Sequence, residues 1–241
     1  MENMKGMTKE IIVWNIQGLN AKKLKLSHLL DYYHPMVCCI LETKINPRSK
    51  YSYDIGEYKA ERKDKEGEIG HGGIAIYLHK NVLRESVPLI TELQAMAYKI
   101  GIQDRTITIA TIYIPETDWQ EIEDMEKEIE DLIAQLPRPF ILTGDLNAHS
   151  TDWYDEKTDQ KGRTVDRVVQ RTASTIIDRN EPTYFSVAHG TYSHIDLTIT
   201  SPSLTASLQW ETHKDLQGFD HYPVLISMAN SDFSYAMSLP R

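Results

Sequence analysis

Several short apolar segments of this chain are each followed at once by a polar side chain, and this recurring pattern restricts the fold most. "IIVW" is followed by Asn15, "VCCIL" by Glu42 and "FILTG" by Asp145. Short uninterrupted apolar runs are typical of strands that are buried on both faces. The pattern therefore predicts a layered α/β fold in which polar groups gather where buried strands end.

The hydrophobic periodicity predicts helices that alternate with strands. Helices are predicted at 21–33, from Thr117 to the residue before Pro137, and at 164–178. Thr117–Gln120 has the pattern of a capping box, and the apolar residues that follow it recur at helical spacing. Roughly nine to eleven strands are predicted, including one on each side of a His189-Gly190 turn. The other main strands are "EIIVWN", "MVCCILE", "GGIAIYLHK", "RTITIATIYIP", "PFILTGD", "LQWETH" and "YPVLISM".

The composition of this 241-residue chain, with 41% hydrophobic and 25% charged residues, is that of a globular protein. No apolar run has the length of a transmembrane helix or the form of a signal peptide, so no membrane partner is expected. The adjacent Cys38 and Cys39 are its only cysteines, which predicts a reducing, intracellular environment. The predicted organisation is a disordered or tag-like N-terminus at 1–9, one domain at 10–228 and a tail at 229–241.

The acidic charge is concentrated in one segment. Residues 116–131 hold nine acidic residues and one lysine, a net charge of -8 out of -9 for the chain. The rest is close to neutral, so a nucleic-acid partner stays open, and this segment is expected to face away from it. On the third predicted helix, Arg163, Arg167 and Arg171 recur every four residues. They either contact a DNA backbone or are simply exposed.

The polar residues at the strand ends would form one site if the strands share an edge. Taken singly, each has an ordinary explanation as a turn or surface residue. Together, several converging carboxylates require a cation or a protonated imidazole between them. Oxygen ligands of this type suit Mg²⁺, with Mn²⁺ as the alternative, and phosphoester hydrolysis. The set comprises Asn15, Glu42, Tyr113, Asp145, Asn147, Asp196, Asp220 and His221.

Several short motifs of the chain occur in the order found in the endonuclease/exonuclease/phosphatase superfamily, which the chain resembles. They are "WNIQGL", "LETK", "IYIP", "GDLNAH", "SHID" and "DH". "GGIAIYL", "GDLNAHSTDW", "KGR" and "PTYF" with "TYSHIDLTIT" resemble the endonuclease domain of non-LTR (LINE-type) retrotransposons. The resemblance covers residues 10–228. It implies a four-layered α/β sandwich, two mixed β-sheets flanked by helices, as in deoxyribonuclease I.

The resemblance also implies roles around a metal ion and a water molecule. Glu42 would be the principal Mg²⁺ ligand, with Asn15 beside it and Asp220 near the metal. Asp145 would activate the attacking water, and Asn147 would orient it. These roles agree with the chemistry, because a carboxylate within hydrogen-bond reach of water can take its proton.

A histidine is implied to act on the phosphate. His221 would bind the scissile phosphate and stabilise charge on its oxygens, while Asp196 would fix its tautomer and keep it protonated. Tyr113 and Thr183 would contact the phosphate or its neighbours. One position departs from the superfamily pattern, because Phe219 stands where a serine usually precedes the Asp-His pair. Phe219 is expected to pack at the start of the last strand.

The hairpin around His189 and Gly190, with Tyr192 on its second arm, is the predicted substrate-binding element. In related retrotransposon nucleases the corresponding hairpin reaches toward the DNA groove, where a tip reads groove width and deformability more than bases. An ordinary surface turn is the alternative interpretation. His149 is expected to position the loop that carries Asp145 and Asn147.

The predicted function is that of a Mg²⁺-dependent endonuclease that nicks double-stranded DNA. The nick would leave a 3′-hydroxyl primer for target-primed reverse transcription by a reverse transcriptase domain of a longer polyprotein, in the nucleus. The alternatives are an apurinic or repair nuclease, a phosphatase of the same superfamily, or a non-catalytic DNA-binding module.

Overall fold

The computed structural model describes residues 7–67, 70–102, 105–116, 122–215 and 220–228, in which fourteen strands and four α-helices form. The helices are α1 (Leu19–Tyr33), α2 (Ile122–Gln135), α3 (Gln160–Arg171) and α4 (Pro202–Thr205), with a one-turn 3-10 helix at Thr151–Trp153. The strands are β1 (Glu10–Asn15), β2 (Val37–Leu41), β3 (Tyr58–Lys63), β4 (Ile74–His79), β5 (Leu83–Val87), β6 (Gln94–Ile102), β7 (Arg105–Tyr113), β8 (Phe140–Asp145), β9 (Thr175–Ile177), β10 (Tyr184–Ser186), β11 (Thr191–Ser193), β12 (Asp196–Thr200), β13 (Leu208–Thr212) and β14 (Val224–Met228).

Two six-stranded mixed sheets contain most of these strands. The first sheet has the order β13-β14-β1-β2-β4-β3, and the second has the order β5-β6-β7-β8-β12-β9. Strands β10 and β11 form a separate two-stranded ribbon, and an isolated bridge between Tyr184 and His221 connects it to the segment before β14. The predicted fold class, a four-layered sandwich of two mixed sheets flanked by helices, is confirmed.

The alternation of side chains along the strands builds the layers, because successive residues of a strand point to opposite faces. In β1, Ile11 and Val13 enter the core between the two sheets, whereas Ile12 and Trp14 pack on the outer face under α1. In β8, Ile141 belongs to the inner core, and the next residue packs outward with α2 and α3. Strands covered on both faces therefore need the uninterrupted apolar runs seen in the sequence.

The strand register of the second sheet places three predicted site residues in one row. Tyr113 lies opposite Asp145 in the parallel β7–β8 pair, and Asp196 lies opposite Asp145 in the antiparallel β12–β8 pair. Tyr113 lies in the core between the sheets, so this row faces the first sheet. In the first sheet, Asn15 at the end of β1 pairs with the last residue of β2, directly before Glu42.

Four strands were not predicted from the sequence, namely β3, β5, β6 and β9. Three of them, β3, β5 and β9, are at sheet edges and have few fully buried residues. Edge strands with one solvated face lack the apolar runs that identify central strands. In β6 the alternation is present, but the small Ala95 and Ala97 carry part of it.

The third predicted helix, at 164–178, was placed too far along the chain. The observed helix α3 begins at Gln160, because the Asp159 side chain accepts a hydrogen bond from the Gly162 amide at 2.6 Å. It ends at Arg171, and Ala173 then has a left-handed φ of 47°. The residues from Thr175 form β9, so their apolar side chains belong to a strand.

Some predictions fall outside the described residues. These include the capping box at Thr117–Gln120, Phe219 and the predicted tail at 229–241. The domain boundaries also stay predictions, although β1 begins at Glu10 and β14 ends at Met228. Within the described ranges, no helix has both the length and the hydropathy to cross a bilayer.

Candidate active site

A cleft of about 520 Å³ opens where the strand ends of the two sheets meet. The residues that line it come from both sheets and from the β10–β11 ribbon. Predicted site residues among them are Glu42, Tyr113, Asp145, Asn147, His189 and His221. Most of the residues that the sequence pattern grouped together therefore share one cleft.

Asn15 joins the two sheets at the base of this cleft. Its side chain is fully buried, and its Nδ2 donates hydrogen bonds to Glu42 Oε1 at 3.0 Å and to Asp145 Oδ2 at 2.9 Å. One amide group thus bridges a carboxylate of the first sheet and a carboxylate of the second. Such a fully satisfied buried network fixes the relative position of its members.

Four residues at the strand ends around the cleft have a strained backbone. Gln17, Glu42, Lys44 and Asn147 all have positive φ angles, between 45° and 51°. Non-glycine residues rarely adopt this left-handed conformation, which costs of order 1–3 kcal/mol at each position. The strain turns the chain sharply after β1, β2 and β8, and so aims their terminal side chains at the cleft.

Asp145 is held rigidly at the end of β8. Its Oδ1 accepts a hydrogen bond from the Asn147 amide at 3.0 Å, and the Asn147 side chain donates to the Ile114 carbonyl at 3.0 Å. The preceding Gly144 permits a close backbone approach, because a Cβ there would lie 1.8 Å from the Ile112 carbonyl oxygen. Burial and the nearby Asp196 carboxylate raise the pKa of Asp145 to about 7.

His221 and Asp196 form a buried ion pair beside Asp145. His221 Nδ1 donates to Asp196 Oδ2 at 2.8 Å, and His221 Nε2 lies 4.0 Å from Asp145 Oδ2. Burial of the ring lowers the pKa of His221, but the Asp196 charge and hydrogen bond outweigh it and raise the pKa to about 9. The Trp14 indole donates to the His221 carbonyl at 3.2 Å and fixes the backbone below the ring.

The oxygen atoms around Glu42 fit a hard divalent cation. Lys44 Nζ lies 2.8 Å from Glu42 Oε2, so a positive charge already neutralises this carboxylate. Asp220 Oδ2 accepts a hydrogen bond from Gln17 Nε2 at 2.7 Å, while its buried Oδ1 has no hydrogen-bond partner among the described residues. A buried carboxylate oxygen with a vacant lone pair and an ionised glutamate are the donor chemistry that Mg²⁺ prefers.

Another group of ligand atoms, on Asp145, Asp196 and His221, has all its members within 4.8 Å of one another. In this group His221 Nδ1 already donates to Asp196, and the raised pKa keeps the ring protonated at neutral pH. A protonated imidazole repels a cation and has no lone pair to offer. The chemistry of this group therefore suits a cation less well than the carboxylate oxygens of Glu42 and Asp220.

Thr183 is buried, and its hydroxyl holds the backbone at Asp196. Its hydroxyl oxygen accepts hydrogen bonds from the Ile195 amide at 3.1 Å and the Asp196 amide at 3.0 Å. Both bonds hold the start of β12, where Asp196 is the first residue. These contacts give Thr183 a structural role at the start of β12, and its contact with the phosphate stays a prediction.

The β10–β11 ribbon forms the predicted hairpin at one wall of the cleft. His189 and Gly190 are exposed at its tip, and Gly190 has a φ of 66° that suits a tight turn. Phe185 and Tyr192 stack across the two strands with ring centroids 4.8 Å apart. Tyr192 is 55% exposed, so an aromatic face next to the tip remains open to a ligand.

The arginine stripe of α3 is paired within the protein. Arg167 Nε donates to Glu126 Oε2 at 2.9 Å, and Arg171 Nη1 contacts Glu126 Oε1 at 2.5 Å. Arg163 bonds the Thr158 carbonyl instead. All three arginines are exposed, as one of the two sequence interpretations expected, but the sequence did not predict that Glu126 of the acidic segment binds Arg167 and Arg171. The α2–α3 layer lies on the far face of the second sheet.

Sequence reasoning missed Gln17 and Lys44, which bond Asp220 and Glu42 respectively. Both lie inside motifs that were recognised, "WNIQGL" and "LETK". Their position two residues beyond a strand-end polar residue was the available signal. The partner of His149 was also missed, because Asp155 lies six residues away on a loop with no regular period.

The fold of this chain is the fold of apurinic endonucleases. The solved structure of the AP endonuclease LMAP from Leishmania major superposes with a TM-score of 0.76 at 16% sequence identity, covering 91% of this chain and 87% of that one. The endonuclease domain of TRAS1, a telomere-specific non-LTR retrotransposon, superposes with a TM-score of 0.76 at 19% identity, covering 91% of this chain and 97% of that one.

In sequence, the chain is similar to proteins of mobile elements. Residues 107–225 match the family model described as endonuclease-reverse transcriptase. Over 221 residues, the chain is 23% identical to the RNA-directed DNA polymerase from mobile element jockey of Drosophila melanogaster, covering 90% of this chain and 23% of that protein. The chain spans about a quarter of the length of the curated relatives it matches. These findings confirm the resemblance to the endonuclease domains of non-LTR retrotransposons.

Proposed function

We propose that this chain is a divalent-metal-dependent endonuclease that nicks double-stranded DNA and leaves a 3′-hydroxyl. The observation that carries the proposal is the bridge at Asn15, whose amide donates to both Glu42 and Asp145 beside the buried His221–Asp196 pair. The bridge brings a candidate cation ligand, a candidate base and a candidate phosphate-binding imidazole into one cleft.

Asp145 is the group that we propose to accept a proton from the attacking water. Its pKa near 7 places it close to the operating pH, where a carboxylate both loses its own proton and takes another one effectively. Its Oδ1 accepts a hydrogen bond from the Asn147 amide, which fixes the orientation of the carboxylate. Asn147 itself lines the cleft and can orient the water.

His221 is the group that we propose to bind the scissile phosphate. Its ring is protonated at neutral pH because Asp196 holds the Nδ1 proton, which leaves the Nε2 proton for a phosphate oxygen. A preorganised positive charge in a water-poor cleft stabilises the charge that develops in the transition state. Tyr113 lies opposite Asp145 and lines the cleft, and we propose that its hydroxyl contacts the same phosphate.

Mg²⁺, or Mn²⁺ in its place, would be held by Glu42 and Asp220 with Asn15 beside them. When bound, the ion supplies Lewis-acid neutralisation of the phosphate charge. The protein prepares this position by keeping Glu42 ionised. Burial alone would raise the pKa of Glu42, but hydrogen bonds from Asn15 and Lys44 and the Lys44 charge hold it below its ordinary value.

The biological setting that we propose is target-primed reverse transcription in the nucleus. A nick with a free 3′-hydroxyl is the primer that a reverse transcriptase needs. The curated relatives bear the name RNA-directed DNA polymerase and are about four times longer than this chain. This supports a longer polyprotein in which a polymerase domain uses the nick. The exposed hairpin at His189 and Tyr192 is the element that we propose to select the target.

The test is nicking of supercoiled plasmid in Mg²⁺ and in EDTA, by the wild type and by His221→Gln. The matched control is His28→Gln, at an exposed histidine on α1 away from the cleft. We expect nicking in Mg²⁺ only, unchanged activity of the control, and a fall of about 10²–10³ for His221→Gln, as for loss of one electrostatic donor. Undiminished nicking in EDTA would remove the metal from the proposal.

The nicked product distinguishes the alternatives. Direct extension by a DNA polymerase, without phosphatase treatment, is expected if the nick carries a 3′-hydroxyl. A strong preference for an abasic duplex over intact plasmid would favour a repair nuclease. Release of inorganic phosphate from phosphomonoesters without plasmid nicking would favour a phosphatase. Duplex binding without cleavage in Mg²⁺ would leave a non-catalytic DNA-binding module.

A further inference from the structure

A second histidine–carboxylate pair lies at the outer end of the active-site cleft. His149 Nδ1 is 3.2 Å from Asp155 Oδ2. The Asp155 side chain is 3% exposed, whereas the His149 side chain is 33% exposed. The pair therefore repeats the composition of the Asp196–His221 pair, but its imidazole is accessible to a ligand.

His149 stands where two clefts join. It lines the active-site cleft and also a neighbouring cleft of about 300 Å³ that includes Lys157 and the ribbon residue Tyr192. His189 lines both clefts as well. The two clefts thus form one groove that leads from Asp145 past the ribbon. A DNA strand with one phosphate at His221 has a path along this groove for its neighbouring phosphates.

The His149 ring is not needed to hold its own loop, because the backbone does so. The His149 amide donates to Asp159 Oδ1 at 3.3 Å, and its carbonyl accepts from the Asp159 amide at 3.0 Å. The carbonyl also packs so closely on Gly162 that a Cβ there would lie 1.8 Å away. The predicted loop-positioning role of His149 therefore belongs to its main chain, and the side chain is available for another task.

Asp155 fixes the ring from the opposite side. Its Oδ1 accepts a hydrogen bond from the His194 amide at 3.0 Å, and its Oδ2 bonds His149. The Asp155 carboxylate is thereby fixed to the base of the ribbon at His194, which is two residues before Asp196. With Nδ1 engaged in this bond, Nε2 is the ring nitrogen left for a ligand in the groove.

We infer that His149 binds a non-scissile phosphate of the DNA strand through Nε2, with Asp155 as its positioning residue. The inference rests on the proposed function, because it assigns a second phosphate contact to the same groove. A contact of this kind sets the register of the strand and contributes affinity, without reading sequence.

The charged groups around His149 change the pKa of its ring. The hydrogen bond that the His149 ring donates to Asp155 raises the pKa of His149, and burial opposes it. Among the other charged groups near the ring, Asp159 also raises the pKa and Lys157 lowers it, and Glu156 lines the outer cleft. The net direction is upward, so more of the ring is a cation at neutral pH than for a free histidine.

The test is the affinity for a fluorescently labelled DNA duplex, measured by anisotropy in EDTA over a series of salt concentrations. We compare the wild type with His149→Gln, His149→Lys and the control His28→Gln. For His149→Gln we expect weaker binding, with a salt slope smaller by about 1, as for loss of one phosphate contact. His149→Lys restores the charge and is expected to keep the wild-type slope, and His28→Gln is expected to match the wild type.

The positioning role of Asp155 needs a separate readout. Asp155→Asn keeps an oxygen for the His194 amide but removes the charge that raises the pKa of His149. The affinity for the duplex is therefore expected to fall at a lower pH than in the wild type. An unchanged pH profile in this variant would overturn the role of Asp155.

The outcomes separate this inference from the proposed function. If the wild type nicks plasmid in Mg²⁺ and His149→Gln binds DNA with the wild-type affinity and slope, the phosphate contact is overturned and the endonuclease stands. If His149→Gln and His149→Lys lose affinity equally, the ring has a structural role and the inference is again overturned. If the wild type neither nicks plasmid nor binds the duplex, the proposed function fails and the inference fails with it.

Discussion

The first sheet brings Glu42 to the cleft and the second sheet brings Asp145, and the two carboxylates lie in different environments. Glu42 has a side chain 15% exposed and an ion pair with Lys44, whereas Asp145 is 1% exposed and faces Asp196. Both accept a hydrogen bond from the same Asn15 amide. The pKa of Glu42 is lowered, while that of Asp145 is raised to about 7.

This difference shows that burial and the sign of the neighbouring charge decide the character of each carboxylate. A cation nearby and partial solvation keep Glu42 ionised, as a metal ligand requires. Full burial beside another carboxylate brings Asp145 to a pKa where it can exchange protons at neutral pH. Titratable groups whose environments separate their pKa values divide the chemical roles between them.

The largest change in the rate of plasmid nicking is expected for a substitution in the second sheet, at Asp145. Asp145→Asn removes the proposed base, and the rate of plasmid nicking is expected to fall by about 10³, within the range for general bases. Single-turnover nicking at neutral pH measures it. Asp31→Asn, at an exposed carboxylate on α1, is the matched control and should keep the wild-type rate. Retention of full activity by Asp145→Asn would exclude the residue as the base.

A smaller change in the nicking rate is expected for a substitution at Glu42, which follows a strand of the first sheet. Glu42→Gln weakens the hold on the cation, so nicking is expected to fall by about 10² at the Mg²⁺ concentration that saturates the wild type. Additional Mg²⁺ should recover part of this loss, which a Mg²⁺ titration of the nicking rate measures. The control is Glu57→Gln, at an exposed glutamate paired with Lys80. An unchanged Mg²⁺ requirement in Glu42→Gln would place the cation elsewhere.

The pH profile of nicking depends on both Asp145 and His221. Wild-type activity is expected to rise with pH through about 7 as Asp145 loses its proton, and to fall through about 9 as His221 loses its proton. Asp196 raises both pKa values, so Asp196→Asn should move both limbs to lower pH. On the alkaline side this costs about tenfold for each unit by which the His221 pKa falls. A profile with unmoved limbs would contradict the assignment.

The smallest effect is expected on the far face of the second sheet. Glu126→Gln weakens the ion pairs with Arg167 and Arg171, and its thermal midpoint is expected to fall by no more than about 4 °C, because exposed ion pairs stabilise weakly. Plasmid nicking should be unchanged. Circular dichroism melting and the nicking assay measure the two quantities. A large loss of nicking would show that the α2–α3 layer contributes to the site.

The strands that carry the site could be predicted from the sequence because they are buried on both faces. Their apolar runs and the polar residues that end them, such as Asn15, Glu42 and Asp145, are local signals. The motif order supplied the grouping with Asp196 and His221, which are far away along the chain. The resemblance and the fold class are confirmed, while the roles of the individual residues stay predictions.

Other features depend on contacts that no local pattern encodes. The hydrogen bonds of Thr183 to the start of β12 follow from the fold alone, and they favour a support role for this residue. The pairing of Arg167 with Glu126 needs two helices to lie side by side. Edge strands such as β3 and β5 have polar sequences because one side of each has no partner strand.

The order of the strands has a consequence for synthesis on the ribosome. The strands of the second sheet, β5 to β9 and β12, follow one another along the chain with only the β10–β11 ribbon between them. The first sheet combines β1 to β4 with β13 and β14 from the other end of the described chain. His221 arrives just ahead of β14, after every strand of the second sheet has been translated. A nascent chain therefore holds Glu42 and Asp145 long before it has the imidazole, and the proposed site is complete only when β14 joins the first sheet.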